Sequence, residues 1–204
     1  MKRFQGLRTT TAMLAAGMLA ATLVTGCAGG GGQRQTETEA EQDGTTEAAA
    51  ADNAAGGESA TLLAGLDGEV ISGTGERTTL TEIAAGRPLV INFWTTWCPY
   101  CVEELPDFAQ VVDEYGDRVE FAFVDIADGM QETMEDAKAW LDEHGFASLP
   151  AYYDTPETGL EVAKSFRVIS IPVTVIVSPD GEVEERFVGK MDMDVLRQRL
   201  DAMV

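Results

Sequence analysis

Histidine, cysteine and positive charge are all scarce in this chain. Its 204 residues include one His and three Cys. That inventory cannot furnish a His-rich metal centre. With Cys27 far from Cys98 and Cys101, it also cannot supply a framework of disulfides to staple a small fold. Lys and Arg number 14 against 35 Asp and Glu, a formal net charge of −21. Such a surface repels phosphate backbones and anionic headgroups, which argues against nucleic-acid binding and direct docking on acidic lipid. The excess acid reads as a device for solubility rather than as a docking surface. A membrane-spanning helix needs roughly 20 apolar residues, and the run over residues 12–24 falls short of that.

What that run does resemble is an export signal. Lys2, Arg3 and Arg8 precede it, and it closes in Leu23-Val24-Thr25-Gly26-Cys27. Small residues directly before a cysteine resemble the lipobox of bacterial lipoproteins. The resemblance implies a signal peptide over residues 1–26, a lipidated Cys27 at the mature terminus, and anchorage on the outer face of a membrane. The alternative is an ordinary cleavable signal with an incidental cysteine. The rest of residues 27–60 is Gly, Ala, Thr, Glu and Gln, with too little apolar surface to offset ordering entropy, and reads as an acidic tether.

The folded part is expected over residues 61–204, where 10 Lys and Arg face 28 Asp and Glu, a formal −18. Short strands are predicted over residues 66–71 and 77–80, around Gly-containing turns, followed by a helical turn over 81–85. Residues 88–94 form a near-continuous apolar run, the pattern of a strand buried on both faces. A helix follows over 98–115, bent at Pro106 and ended by Gly116. Further elements are a strand over 119–125, an amphipathic helix over 130–144, a strand at 152–153 and a helix over 158–166. A hairpin over 173–188 turns at Asp180-Gly181, and a last helix spans 193–203. Strands alternating with helices, then a hairpin and a helix, argue for an α/β fold with a mixed central sheet covered on both faces.

Chemistry concentrates at Trp97-Cys98-Pro99-Tyr100-Cys101, where the apolar strand gives way to the helix. Two intervening residues place both sulfurs on one helical face. The first lies against the free N–H groups and positive dipole end of the helix, which favours thiolate. A low-pKa thiol with a partner one turn away performs thiol–disulfide exchange, with Cys98 as nucleophile, exposed at the helix start, and Cys101 as the more buried resolving thiol. The competing reading, half of a zinc site, lacks the remaining ligands. Met191 and Met193 read as packing or surface residues rather than a copper site, and His144 as a helix C-terminal residue rather than a base.

The strand and Cys-x-x-Cys helix, the late Ile171-Pro172 and the Asp180-Gly181 hairpin together resemble the thioredoxin fold. The stretch from Asn92 through Trp97-Cys98-Pro99-Tyr100-Cys101 to Glu104-Leu105-Pro106, with the added strand and helix before Phe166, resembles the TlpA/ResA-type branch. The resemblance implies a thioredoxin fold with an N-terminal extension and a central strand–helix insertion. It also implies an extracytoplasmic thiol–disulfide oxidoreductase that reduces disulfides of exported proteins, such as apocytochrome c, and is re-reduced by a membrane electron-transfer protein. Electrons pass through the cysteines, so neither diffusible cofactor nor metal is expected. Pro172 is implied to be cis and to face the cysteine pair, with Ile171 offering backbone to a substrate strand, and Trp97 to stand beside the nucleophile. An acid at Glu104 is implied to steer protons at the pair; its alternative is a solvated helix acid like Glu103.

The chain departs from the pattern twice. Pro99-Tyr100 is the insert seen in glutaredoxins, and it tunes potential and hence electron direction. Asn92 stands where thioredoxins carry a buried acid, so it is no base. Two other functions stay open at this stage: an oxidase that installs disulfides, and a non-catalytic binding or metal-handling lipoprotein of the same fold. A peroxidase would carry a lone cysteine in a Pro- and Thr-containing loop, which is absent.

Overall fold

A computed structural model describes residues 63–204; the signal, Cys27 and tether readings lie outside these residues. A 3-10 turn at Leu63–Gly65 leads into strands β1 (Glu69–Ser72) and β2 (Arg77–Thr79). Helix α1 (Leu80–Ala84) is started by a capping box in which Thr79 and Glu82 exchange side-chain and backbone bonds. Then come β3 (Leu89–Trp94), α2 (Pro99–Tyr115), β4 (Glu120–Ile126), α3 (Met134–Glu143), β5 (Ala151–Asp154) and α4 (Glu161–Ser165). The chain closes with β6 (Val173–Val177), β7 (Val183–Val188) and α5 (Met193–Asp201).

The seven strands form one mixed sheet in the order β2-β1-β5-β4-β3-β6-β7. The three strands β5, β4 and β3 run parallel, and the outer pairings are antiparallel. The N-terminal hairpin extends the sheet beyond β5, and the stretch between β4 and β6 supplies α3, β5 and α4. This is the thioredoxin fold with both additions.

Strand alternation divides the core. Val90 and Trp94 of β3, with Phe121 and Phe123 of β4, pack with Leu105, Phe108 and Val111 of α2 and Leu196 and Leu200 of α5. Leu89, Ile91 and Phe93 of β3, with Ala122 and Val124 of β4, pack with Leu80 of α1 and Val162 of α4. Every residue of β3 is buried, which accounts for its unbroken apolar run.

One local expectation needs correction. Helix α3 starts at Met134, not residue 130, because Asp128 Oδ1 accepts the N–H groups of Met130, Gln131 and Glu132 at 2.8, 2.8 and 3.4 Å and holds them as a turn. The capping box of Thr133 and Asp136 then begins the helix. Gly116 ends α2 in the right-handed region (φ −61°), so no left-handed requirement selects glycine there; a Cβ would instead meet the Val112 carbonyl oxygen at 2.7 Å. Pro106 lies inside α2, which continues through it as one helix from Pro99 to Tyr115.

At the opening of the described chain, the Leu63 N–H donates to the Gly181 carbonyl at 2.7 Å, in the turn between β6 and β7. At the other end of α2, the Tyr115 hydroxyl donates to Asp201 Oδ1 at 2.8 Å, tying α2 to α5.

Candidate active site

The link Thr95-Thr96-Trp97 carries the chain from the end of β3 to the start of α2. Cys98 is the N-cap of α2, with extended backbone (φ −89°, ψ 107°), and Pro99 takes the first helical position, where its missing N–H is not needed. The Cys98 Sγ accepts the Cys101 N–H at 3.2 Å, so sulfur does the work that a Ser or Asp oxygen does at most helix starts. The Cys98 N–H donates to the Thr95 carbonyl at 3.3 Å. Cys98 and Cys101 form a disulfide across one helical turn, with Cα atoms 5.3 Å apart.

Cys98 is 4% exposed and Cys101 0%. The expectation of an exposed Cys98 is therefore corrected for this oxidised form: its sulfur turns inward, to Cys101 and to the helix N–H group, and packs in the α2-side core. What stands outward is apolar. Trp97 is 52% exposed and Tyr100 64%, and Pro99 is also exposed.

The antiparallel register of β3 with β6 pairs Phe93 with Val173. The start of β6 thus meets the end of β3, and Pro172 lies at the sheet end from which the link to Cys98 departs. The Ile171–Pro172 peptide bond is cis, Pro172 is buried, and half-buried Ile171 packs against both cores. The Pro172 carbonyl accepts the Gly189 N–H at 2.8 Å.

Glu104 is fully buried, unlike Glu103, which is exposed and pairs with Lys190 at 3.5 Å. Its Oε1 accepts Asn92 Nδ2 at 2.9 Å, and its Oε2 accepts the Met191 N–H at 2.9 Å. Burial pushes the carboxyl up from its ordinary value, against the bonds from Met191 and Asn92 and the charge of Lys190, which pull it down. Asn92 also donates to Thr174 Oγ1 at 3.2 Å, while its own Oδ1 is buried without a partner. Sequence reasoning treated Asn92 only as a non-base; here it holds the acid. The available signal was a lone amide in an otherwise apolar strand.

Two more acids went unnoticed in the sequence. Asp125 and Glu132 are 0% and 2% exposed, and Glu132 accepts the Thr96 N–H within the link to Cys98. His144 is the C-cap of α3, stacked on Trp140 with centroids 4.0 Å apart. Met191 is buried and Met193 opens α5. Among the described residues no cluster of three or more His, Cys, Asp or Glu is poised to hold a metal.

The sequence pattern of the AhpC/TSA family matches residues 62–186. The thioredoxin-like protein YneN of Bacillus subtilis is 27% identical over 128 residues, covering 63% of this chain and 71% of that protein. The thiol-disulfide oxidoreductase ResA of Oceanobacillus iheyensis is 30% identical over 117 residues, covering 57% of each. Among solved structures, the exposed lipoprotein thioredoxin of Streptococcus pneumoniae superposes with a TM-score of 0.57 at 25% identity, over 67% of this chain and 98% of that one.

Proposed function

Since the chain belongs to the AhpC/TSA family, and within it to the thiol–disulfide oxidoreductases, we propose that it is a membrane-anchored, extracytoplasmic reductase of disulfides in exported proteins. The observation that carries this reading is Cys98 as sulfur N-cap of α2, bonded to Cys101, with Glu104 buried one turn further along the same helix.

In the reduced form, the helix N-terminus favours Cys98 thiolate. That thiolate attacks one sulfur of a substrate disulfide; a Cys98–substrate bond forms, the substrate S–S bond breaks, and the released thiolate takes a proton from solvent. Cys101 then gives its proton to the Glu104 carboxylate and attacks the Cys98 sulfur, expelling the second substrate thiolate. Two electrons have passed to the substrate, and the enzyme is left with its Cys98–Cys101 disulfide. A membrane electron-transfer protein restores the dithiol, with no diffusible cofactor. Trp97, Pro99 and Tyr100 present apolar surface to the substrate, and Ile171 beside Pro172 offers it backbone.

The lipobox-like sequence before Cys27 supports anchorage at the outer face of the cell membrane, as does the likeness to a streptococcal protein described as an exposed lipoprotein. Fatty-acid labelling of the full-length chain, lost in Cys27→Ser, is the expected result. A redox titration tests direction: a potential near about −270 mV marks a reductant, and one near about −120 mV would assign the chain to disulfide formation instead. Cys101→Ala should accumulate mixed disulfides at Cys98, and recovery of no partner protein by mass spectrometry would sink the proposal.

A further inference from the structure

The end of β4 carries acids that the exchange chemistry does not use. Asp125 lies in register with Trp94 on β3 and Tyr153 on β5. Alternation from Phe121 and Phe123 puts its side chain on the face covered by α2. Neither of its carboxyl oxygens meets a donor among the described residues, and the neighbouring Trp94 Nε1 and Thr95 Oγ1 are likewise buried without partners. A buried carboxylate with no donor is costly; a carboxylic acid that itself donates is not.

The acceptor at hand is Glu132, from the loop between β4 and α3. Its carboxylate accepts the Thr96 N–H at 3.1 and 3.3 Å through its two oxygens, and the Thr96 hydroxyl as well. Asp125 is fully buried within reach of its charge. Two charges so close and so dry repel, whereas one acid donating to one carboxylate is a stable arrangement. Burial first, then the charges of Glu132 and Asp128, push the Asp125 carboxyl up to about 9. The other titratable group facing it is Tyr153 of β5, itself pushed up by burial and by the charges of Asp125, Asp142 and Glu132.

We propose that Glu132 is a positioning residue for the dithiol: held against Asp125 by one shared proton, its carboxylate clamps Thr96 and so fixes the link from β3 to Cys98. The link is then pinned twice in succession, at the Thr96 N–H by Glu132 and at the Thr95 carbonyl by Cys98 itself. The neighbouring Trp97, half exposed, takes its direction from that link. The inference rests on the thiol-exchange reading for its kinetic consequence but not for its structural one.

Two measurements on the full-length chain separate these. In the oxidised, ¹⁵N-labelled protein the cysteines do not titrate; the Thr96 amide resonance should move between pH 6 and 10 with a midpoint near about 9, and Asp125→Asn should abolish that movement, because an amide cannot lose the shared proton. An unmoved Thr96 amide in the wild type, or the same titration in Asp125→Asn, overturns the shared proton. In the reduced protein, Glu132→Ala should lower kcat/KM for insulin reduction about tenfold, as expected for loss of a charge-assisted hydrogen bond that aligns the nucleophile. Glu132→Gln, which keeps a carbonyl acceptor for Thr96, should recover to within about threefold of wild type. Wild-type kinetics in Glu132→Ala, or no recovery in a folded Glu132→Gln, overturns the clamp. Failure of the wild type itself to reduce insulin would strike the exchange reading, while the Thr96 titration would still decide the clamp.

Discussion

Replacing Glu104 by Gln is expected to stabilise the oxidised protein at neutral pH while impairing exchange. Glu104 is 0% exposed, and burial outweighs the hydrogen bonds from Met191 and Asn92 in setting its carboxyl above the ordinary range. The folded state therefore holds this proton more tightly than the unfolded state. The contribution of Glu104 to stability is full below its unfolded value and declines as pH rises through its folded value, by about 1.4 kcal/mol for each unit between them. Glutamine cannot ionise, so the stability of Glu104→Gln relative to wild type should climb as pH rises from the ordinary carboxyl range towards neutrality. The hydrogen bonds survive the change. The Gln carbonyl accepts the Met191 N–H, and its amide donates to the Asn92 Oδ1, now without a partner, once Asn92 turns its amide over. Glu104→Ala is different: it strands the Met191 N–H and one of the two N–H groups of Asn92 Nδ2, the other still reaching Thr174, at about 1–3 kcal/mol each, for a loss of about 2–6 kcal/mol. Urea unfolding of the oxidised chain across this pH range measures both variants. The reasoning is refuted if Glu104→Gln gains nothing with rising pH, or loses as much as Glu104→Ala. In the reduced chain, Cys98 and Cys101 alkylation profiles identical to wild type in Glu104→Gln would remove Glu104 as proton acceptor.

Other substitutions test the local arguments. Gly116→Ala should destabilise by about 1–3 kcal/mol in chemical denaturation, because its Cβ would meet the Val112 carbonyl at 2.7 Å despite an ordinary φ. Ala85→Gly should raise stability by about 1 kcal/mol, since Ala85 caps α1 at φ 50°, where a Cβ is unfavourable. Asp128→Asn should cost about 1 kcal/mol at neutral pH. Hydrogen bonds from Gln131 and Met130 hold the Asp128 carboxyl below its ordinary value, so the difference from wild type should vanish as pH falls through that lowered value; a constant difference down to about pH 2 would refute the assignment.

Local pattern carried the architecture. The apolar run of β3, the Asp180-Gly181 turn of the β6–β7 hairpin and the Cys-x-x-Cys spacing are short-range signals, and each maps onto the element it predicts. Errors arose where a side chain competes with the helix ladder. Asp128 captures N–H groups that the apolar spacing of residues 130–144 assigned to α3. At the site, spacing placed both sulfurs on one turn but said nothing of what covers Cys98. It also left Glu104 balanced between two readings, because its partners lie 12 and 87 residues away, on β3 and after β7. The Thr96–Glu132 contact spans 36 residues and crosses from one loop to another. Such pairings are decided by the parallel register of β3 and β4, which a linear pattern does not express.

The bond from Leu63 to Gly181 has a geometric consequence. Strand β6 starts at the disulfide end of the sheet and runs for five residues, some 17 Å, before the turn that contains Gly181. The folded domain is therefore polar in the compass sense: its first described residue is fastened at the southern pole and its sulfurs lie at the northern one. A resin or electrode coupled at Leu63 itself would hold the domain by its back, with Trp97 and Tyr100 at the opposite end of the sheet.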